Sequence, residues 1–124
     1  MVAITTGDPG GIGPEVICKA LSDNSLRASA RFRIFGPSSL FVPLEGLVEF
    51  AGEQGNQASF PAADNAVSGE LSFRWVEAAI AAARTAGPDR VDAIVTGPIS
   101  KHAWHLAGHG EFPGHTELLG ARFG

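Results

Sequence analysis

The sequence predicts an α/β fold in which a parallel β-sheet carries helices on both faces. Short β-prone segments alternate along the chain with segments of helical periodicity, in the order strand, helix, strand, helix, strand. Each strand segment ends abruptly at a turn rich in glycine or proline. Because strands joined in this order by helices pair in parallel and need cover on both sides, we expect a helical layer on each face of the sheet.

The first strand and helix are separated by a glycine-rich turn. Residues 2–6 are short and β-prone, and Gly-Asp-Pro-Gly-Gly-Ile-Gly-Pro-Glu follows at residues 7–15. Pro14 suits the first helical position, where no amide donor is needed, and Glu15 places a carboxylate beside the positive end of the helix dipole. The glycine spacing matches neither the P-loop nor the dinucleotide-binding fingerprint, so it favours a tight turn over a phosphate cradle.

The second strand leads into the least regular part of the chain. The first helix is predicted to end near residues 22–24, and residues 32–35 form a strand that a glycine and a proline stop. Residues 38–67 are poorly defined and loop-rich, since prolines, glycines and a polar patch interrupt every periodic pattern there. Within them, residues 47–50 are the candidate for a short strand.

The third unit contains the strongest helical pattern, at residues 68–84. Its apolar stripe has three- and four-residue spacing and comprises Leu71, Trp75, Val76, Ala79, Ile80 and Ala83. Phe73 and Trp75 are therefore expected to be core residues and not part of a cofactor site. After a glycine and a proline end the helix, residues 92–96 are typical of a strand that is fully buried on both faces.

Composition bounds the class of protein. A chain of 124 residues fits one domain, and no apolar run approaches the roughly 20 residues that a membrane helix needs. The net charge of −4 and the scattered lysines and arginines argue against a nucleic-acid partner. The first residues resemble a strand more than a secretory leader, which favours a cytoplasmic location. Cys18 lies in a helical apolar pattern, so a buried thiol is favoured over a nucleophile.

Candidate binding residues follow the last strand. Lys101 comes just after the strand end, where its ammonium can pair with a phosphate or a carboxylate. Further along, Gly114 precedes His115 and Thr116 at the predicted start of a helix, where an imidazole, a hydroxyl and unpaired amides converge. Such a group can bind a polyol or a carboxylate, although from the residues alone a structural role for His115 is equally open. Glu117 is equally well explained as a carboxylate that complements the helix dipole.

The other three histidines lie between these candidates. His102 and His105 are three residues apart, as metal ligands often are, but no nearby side chain completes a set of three. We therefore expect both to be solvent-facing or structural. His109 lies between glycine-containing turns and is expected to be exposed.

Three motifs in this order resemble the amino-terminal part of the 4-hydroxythreonine-4-phosphate dehydrogenase family of pyridoxal phosphate biosynthesis. They are the turn at residues 7–15, Thr-Gly-Pro-Ile-Ser-Lys at residues 96–101 and Phe-Pro-Gly-His-Thr-Glu-Leu-Leu at residues 112–119. The resemblance implies a fold like that of isocitrate and isopropylmalate dehydrogenases, and a homodimer when full length. It also implies NAD or NADP, a divalent metal, and oxidation of a secondary alcohol followed by decarboxylation.

The resemblance also assigns residues. The family's His-Thr pair contacts the substrate, so this role falls on His115 and Thr116, with Lys101 as the next candidate. The family's metal-binding histidines lie downstream of this motif, beyond Gly124. Residues 1–124 are therefore expected to form a single amino-terminal portion of a longer dehydrogenase fold, inactive alone.

Three alternatives remain open. Relatives that act on phosphorylated four-carbon sugar acids or on aromatic cis-dihydrodiols share these motifs. The free chain could instead be a non-catalytic α/β binding or assembly module. It could also fold poorly, because a parallel sheet cut from a larger one exposes an edge and an apolar face.

Overall fold

The computed structural model describes residues 1–52 and 60–124 as an alternation of strands and helices. The strands and α-helices are, in chain order, β1 (Val2–Thr5), α1 (Gly13–Leu21), α2 (Asn24–Ser29), β2 (Phe32–Phe35), β3 (Glu49–Ala51), α3 (Ala66–Arg84), β4 (Ala93–Thr96), α4 (Lys101–Leu106) and α5 (His115–Phe123). No helix among the described residues is both long and apolar enough to cross a lipid bilayer.

The four strands form one parallel sheet in the order β3-β2-β1-β4. β1 is central, and Val2 lies opposite Phe32 on one side and Ala93 on the other. β1 pairs in parallel with both β2 and β4, and β2 pairs in parallel with β3, with α1 and α2 crossing between β1 and β2. The predicted parallel sheet is confirmed, and its outer strands are β3 and β4.

Helices cover both faces of this sheet, as predicted. Successive residues of a strand point to opposite faces, so Ile4 packs against α1 whereas Ala3 packs against α3. Ile17 and Leu21 complete the core on the α1 side, and Trp75 is fully buried on the α3 side. Phe73 is also buried, so both aromatic residues have the core role that the helical stripe indicated.

Residues 38–67 contain more regular structure than the sequence indicates. Two short 3₁₀ turns, Ser38–Leu40 and Val42–Leu44, precede β3, and they bury Phe41 and Leu44 completely. The strand expected at residues 47–50 is β3, which begins two residues later. Residues 53–59, within the region predicted to be loop-rich, lie outside the described residues.

A second helix, α2, begins at the predicted end of the first helix. The Asp23 carboxylate accepts hydrogen bonds from the amides of Ser25 and Leu26, at 2.8 and 3.2 Å. This is N-capping, in which a short side chain satisfies amides that have no intrahelical partner. The polar run that suggested a helix end therefore also begins the next helix.

The prediction that residues 92–96 form a fully buried strand is wrong. In β4, Ala93 and Val95 are exposed, and Ile94 and Thr96 are half-buried. The apolar run correctly indicates a strand, but β4 pairs with β1 and lies at the edge of the described sheet. Burial requires a neighbouring strand and cover on both faces, which an apolar pattern cannot supply by itself.

The first turns of α3 pack against α4. A Cβ added to Gly69 would lie 2.0 Å from the carbonyl oxygen of Ala103, so α3 and α4 approach more closely here than a residue with a side chain would allow. The indole nitrogen of the buried Trp104 donates to Ser72 Oγ at 3.0 Å. Trp104 also meets the ring of Phe73 edge to face, at 5.1 Å between centroids. These contacts fix the position of α4 relative to the sheet.

Candidate functional site

The loops that follow β1, β2 and β4 pack together at the carboxyl edge of the sheet. The amide of Asp8 donates to the carbonyl of Pro98 at 2.8 Å, and the amide of Gly97 donates to the carbonyl of Thr5 at 2.9 Å. The buried hydroxyl of Thr6 donates to the carbonyl of Phe35, at 2.9 Å. This is the edge where open α/β sheets bind ligands.

Glycines make this close packing possible. Gly7 has φ +78°, and a Cβ there would lie 2.3 Å from the carbonyl oxygen of Pro98. A Cβ on Gly13 would lie 2.4 Å from the carbonyl oxygen of Thr6. The glycine-rich turn is therefore packed against the backbone of this chain, which supports the tight-turn interpretation of residues 7–15.

Asp8 places a carboxylate at the same edge. The pKa of Asp8 is raised above its ordinary value, chiefly because burial disfavours the charged form. The hydrogen bond from the amide of Gly10 lowers this pKa, and the negative charge of Asp64 raises it. The sequence pattern by itself does not distinguish Asp8 as a functional residue. The motif at residues 7–15 contains it, but the burial that raises its pKa depends on how the loops pack.

Lys101 begins α4 immediately after the β4 loop. Ser100 is the N-cap, and its hydroxyl accepts the amide of Ala103 at 3.0 Å. The Lys101 side chain is exposed and extends toward the start of α5, where its Cε lies 3.4 Å from the position a Cβ would take on Gly114. Two segments that are more than ten residues apart thus meet at the first turn of α5.

His115 and Thr116 form that first turn. Gly114 is the N-cap residue and supplies no side chain to satisfy the helix amides. His115 is half-buried, and its Nδ1 is a buried polar atom without a hydrogen-bond partner among the described residues. Thr116 is exposed. We refer to Lys101, His115 and Thr116 as the lysine–histidine site.

This site combines three features suited to an anionic, hydroxylated ligand. The Lys101 ammonium and the amides at the start of α5 both favour negative charge, and the Glu117 carboxylate opposes it, since its Oε2 lies 3.3 Å from the position a Cβ would take on Gly114. The buried Nδ1 of His115 has no hydrogen-bond partner among the described residues, and a hydrogen bond to it would recover the free energy that an unsatisfied polar atom costs. The hydroxyl of Thr116 can both donate and accept.

His102 and His105 do not contribute to this site. Both side chains are exposed on α4, as expected for solvent-facing residues. Within residues 1–52 and 60–124, no group of three or more histidine, cysteine, aspartate or glutamate side chains could hold a metal ion. The described residues therefore do not fit a divalent-metal site.

The prediction that His109 is exposed is wrong. Its imidazole stacks on the ring of Phe73, with 3.6 Å between centroids and 2° between planes. Its Nε2 lies 2.6 Å from a carboxylate oxygen of Glu70, and only 21% of the side chain is accessible. The turn between α4 and α5 folds back onto α3, which a local sequence pattern does not reveal. His109 thus ties this turn to α3.

Cys18 is half-buried in α1 and packs beside the core on that face. Burial raises the pKa of its thiol, which disfavours the thiolate. A packing role is therefore favoured over a nucleophilic one, as the sequence indicated.

The family model for the pyridoxal phosphate biosynthetic protein PdxA matches residues 42–124. The chain is 34% identical to a D-threonate 4-phosphate dehydrogenase of Cupriavidus necator, over 96% of this chain and 41% of that protein. It is 36% identical to a 4-hydroxythreonine-4-phosphate dehydrogenase of Synechocystis sp., over 98% of this chain and 38% of that protein.

Solved structures agree with these sequence matches. The 4-hydroxythreonine-4-phosphate dehydrogenase of Klebsiella pneumoniae has a TM-score of 0.81 and 32% identity, covering 98% of this chain and 44% of that chain. A Salmonella typhimurium structure described as a putative enzyme of the same name has a TM-score of 0.82 and 34% identity, with the same coverage. The chain spans about two fifths of the length of these relatives. Its sequence matches and its fold together show that the chain belongs to the PdxA family.

Proposed function

We propose that this chain supplies the substrate-binding part of an NAD(P)- and divalent-metal-dependent dehydrogenase. Its substrate would be a phosphorylated hydroxy amino acid, such as 4-hydroxythreonine 4-phosphate, oxidised and decarboxylated in pyridoxal phosphate biosynthesis. The observation that carries the proposal is that Lys101 Cε lies 3.4 Å from the position a Cβ would take on Gly114, the residue before His115, whose Nδ1 has no hydrogen-bond partner among the described residues.

The proposed roles follow from the chemistry of each side chain. Lys101 pairs with an anionic group of the substrate, because an ammonium binds phosphate or carboxylate as a point charge. His115 and Thr116 hydrogen-bond the polar groups next to the reacting carbon and so orient the substrate. In this proposal the metal ligands lie outside this chain, the full-length protein is a homodimer, and its location is cytoplasmic.

A second candidate substrate is D-threonate 4-phosphate, which the name of the Cupriavidus necator relative favours. It offers the lysine–histidine site the same two features, a phosphate and neighbouring oxygen groups. Both substrates carry a carboxylate and a terminal phosphate, so the choice between them would depend on residues that contact C2, which bears an amino group in one and a hydroxyl in the other.

The test is a hybrid enzyme in which residues 1–124 replace the matching part of the Klebsiella pneumoniae protein. NADH or NADPH formation is followed with each phosphorylated substrate and a divalent metal. His115→Gln should lower kcat/KM at least 100-fold, since it removes a positioning contact from the reacting region. His102→Gln, which changes an exposed imidazole on α4, should leave turnover unchanged.

Two results would contradict the proposal. Equal activity of the His115→Gln and His102→Gln hybrids would remove the site assignment. A folded hybrid with no turnover, together with no binding of nucleotide or either substrate, would favour the non-catalytic module.

A further inference from the structure

A turn at residues 107–114 joins α4, which carries Lys101, to His115 at the start of α5. Gly114 ends this turn, and it is where the two segments meet, since Lys101 Cε lies 3.4 Å from the position a Cβ would take there. Three residues of the turn are glycines, so its own backbone restricts its path only weakly. Contacts with the rest of the chain must therefore hold the turn in place.

His109 provides these contacts at the middle of the turn. Its ring stacks on Phe73 of α3, with 3.6 Å between centroids, and its Nε2 donates to the Glu70 carboxylate at 2.6 Å. Its amide donates to the carbonyl of Trp104 at 2.9 Å, and its carbonyl accepts the amide of Phe112 at 3.1 Å. One residue thus joins α3 through its side chain and both halves of the turn through its backbone.

The two side-chain contacts of His109 restrict different movements. Stacking on Phe73 opposes tilting of the ring, and the hydrogen bond to Glu70 opposes its rotation within the plane. An imidazole supplies both the flat aromatic face and the N–H donor that these contacts need. The acceptor is held as well, because Glu70 also pairs with Arg74 at 2.7 Å, one turn along α3.

We propose that His109 is a positioning residue for the lysine–histidine site. Through Phe73 and Glu70 it holds the turn at residues 107–114 against α3, and this keeps His115 beside Lys101 when the substrate binds. Among the described residues, no hydrogen bond, ion pair or ring contact joins His109 to the three residues of the site, so its effect passes through the turn. This inference rests on the proposed substrate-binding role of that site.

The test uses the hybrid enzyme that carries residues 1–124, with initial rates measured over a range of concentrations of each phosphorylated substrate. His109→Ala should raise KM about tenfold and change kcat by less than about twofold, because it weakens substrate binding without removing a group that touches the substrate. His109→Gln, whose amide can still donate to Glu70, should keep KM within about threefold of the wild type. His102→Ala is the matched control, since it removes an exposed imidazole from α4.

Hydrogen exchange, followed by mass spectrometry of the same proteins, measures the turn directly. Amides of residues 107–114 should exchange several-fold faster in His109→Ala than in the wild type or His102→Ala, because the turn opens more often. The proposal is overturned if His109→Ala leaves either KM or this exchange unchanged, even if kcat and the thermal midpoint fall, as a purely structural role would predict. It is also overturned if His109→Gln is as impaired as His109→Ala. A wild-type hybrid without turnover would instead contradict the proposed function, and this inference with it.

Discussion

At the scale of single residues, Glu70 shows how the fold sets the environment of a side chain. Partial burial raises its pKa, but hydrogen bonds and charges from His109 and Arg74 outweigh this and lower the pKa below its ordinary value of 4.5. The ionised form is therefore more favourable in the folded chain than in the unfolded chain. Its contribution to stability is complete above pH 4.5 and is lost as the pH falls through the folded pKa.

We predict that Glu70→Gln lowers the free energy of unfolding at pH 7 by about 1 kcal/mol, as expected for a partly exposed charged hydrogen bond. The difference between the wild type and this variant should shrink as the pH falls below 4.5. Urea unfolding at several pH values measures it, with the exposed Glu45→Gln as control. A difference that stays constant down to pH 2 would show that the Glu70 carboxylate is not responsible.

At the scale of elements, the contact between α3 and α4 determines where Lys101 lies. Gly69 permits the approach of Ala103, and Trp104 fixes it through Ser72. Ser100 caps the start of α4, but the sequence does not indicate that a glycine in another helix makes room for α4. The lysine–histidine site therefore depends on a packing contact away from the site itself.

We predict that Gly69→Ala destabilises the chain by about 1–3 kcal/mol, because the added methyl would lie 2.0 Å from a backbone oxygen. Gly120→Ala is the matched control, since Gly120 also lies in a helix and a Cβ there meets nothing within 4 Å. That variant should be neutral or more stable by up to about 1 kcal/mol, given the higher helix propensity of alanine. Thermal unfolding distinguishes the two, and equal effects would show that the close approach of α3 and α4 is not required.

At the scale of the whole molecule, the described sheet is protected on the β3 side, where Glu49 pairs with Arg31, and open on the β4 side. The apolar surface around β4 should make the free chain prone to association, because unpaired edges and exposed apolar grooves favour intermolecular contacts. The sequence raised this possibility for any parallel sheet cut from a larger one. In the structure, the exposed apolar edge is that of β4.

We predict that Val95→Lys raises the protein concentration at which the free chain associates, several-fold or more, while its thermal midpoint changes little. A lysine on an edge strand blocks further pairing, and its exposed position requires no buried charge. Light scattering against concentration measures the effect. Val42→Lys is the control, because it changes the net charge by the same amount at an exposed site away from β4. If both variants raise the association concentration equally, the effect is due to net charge and not to the edge of β4.

The sequence by itself determined the parallel α/β order, the core role of Trp75 and the three motifs that identify the family. These features are local, since periodicity, turn residues and motif spacing are properties of neighbouring residues. Tertiary structure alone decided that Lys101 meets the first turn of α5, that His109 is paired with Glu70, and that Val95 is exposed. Each of these depends on contacts between distant segments, or on whether a neighbour is present to cover a strand, and no local pattern specifies either.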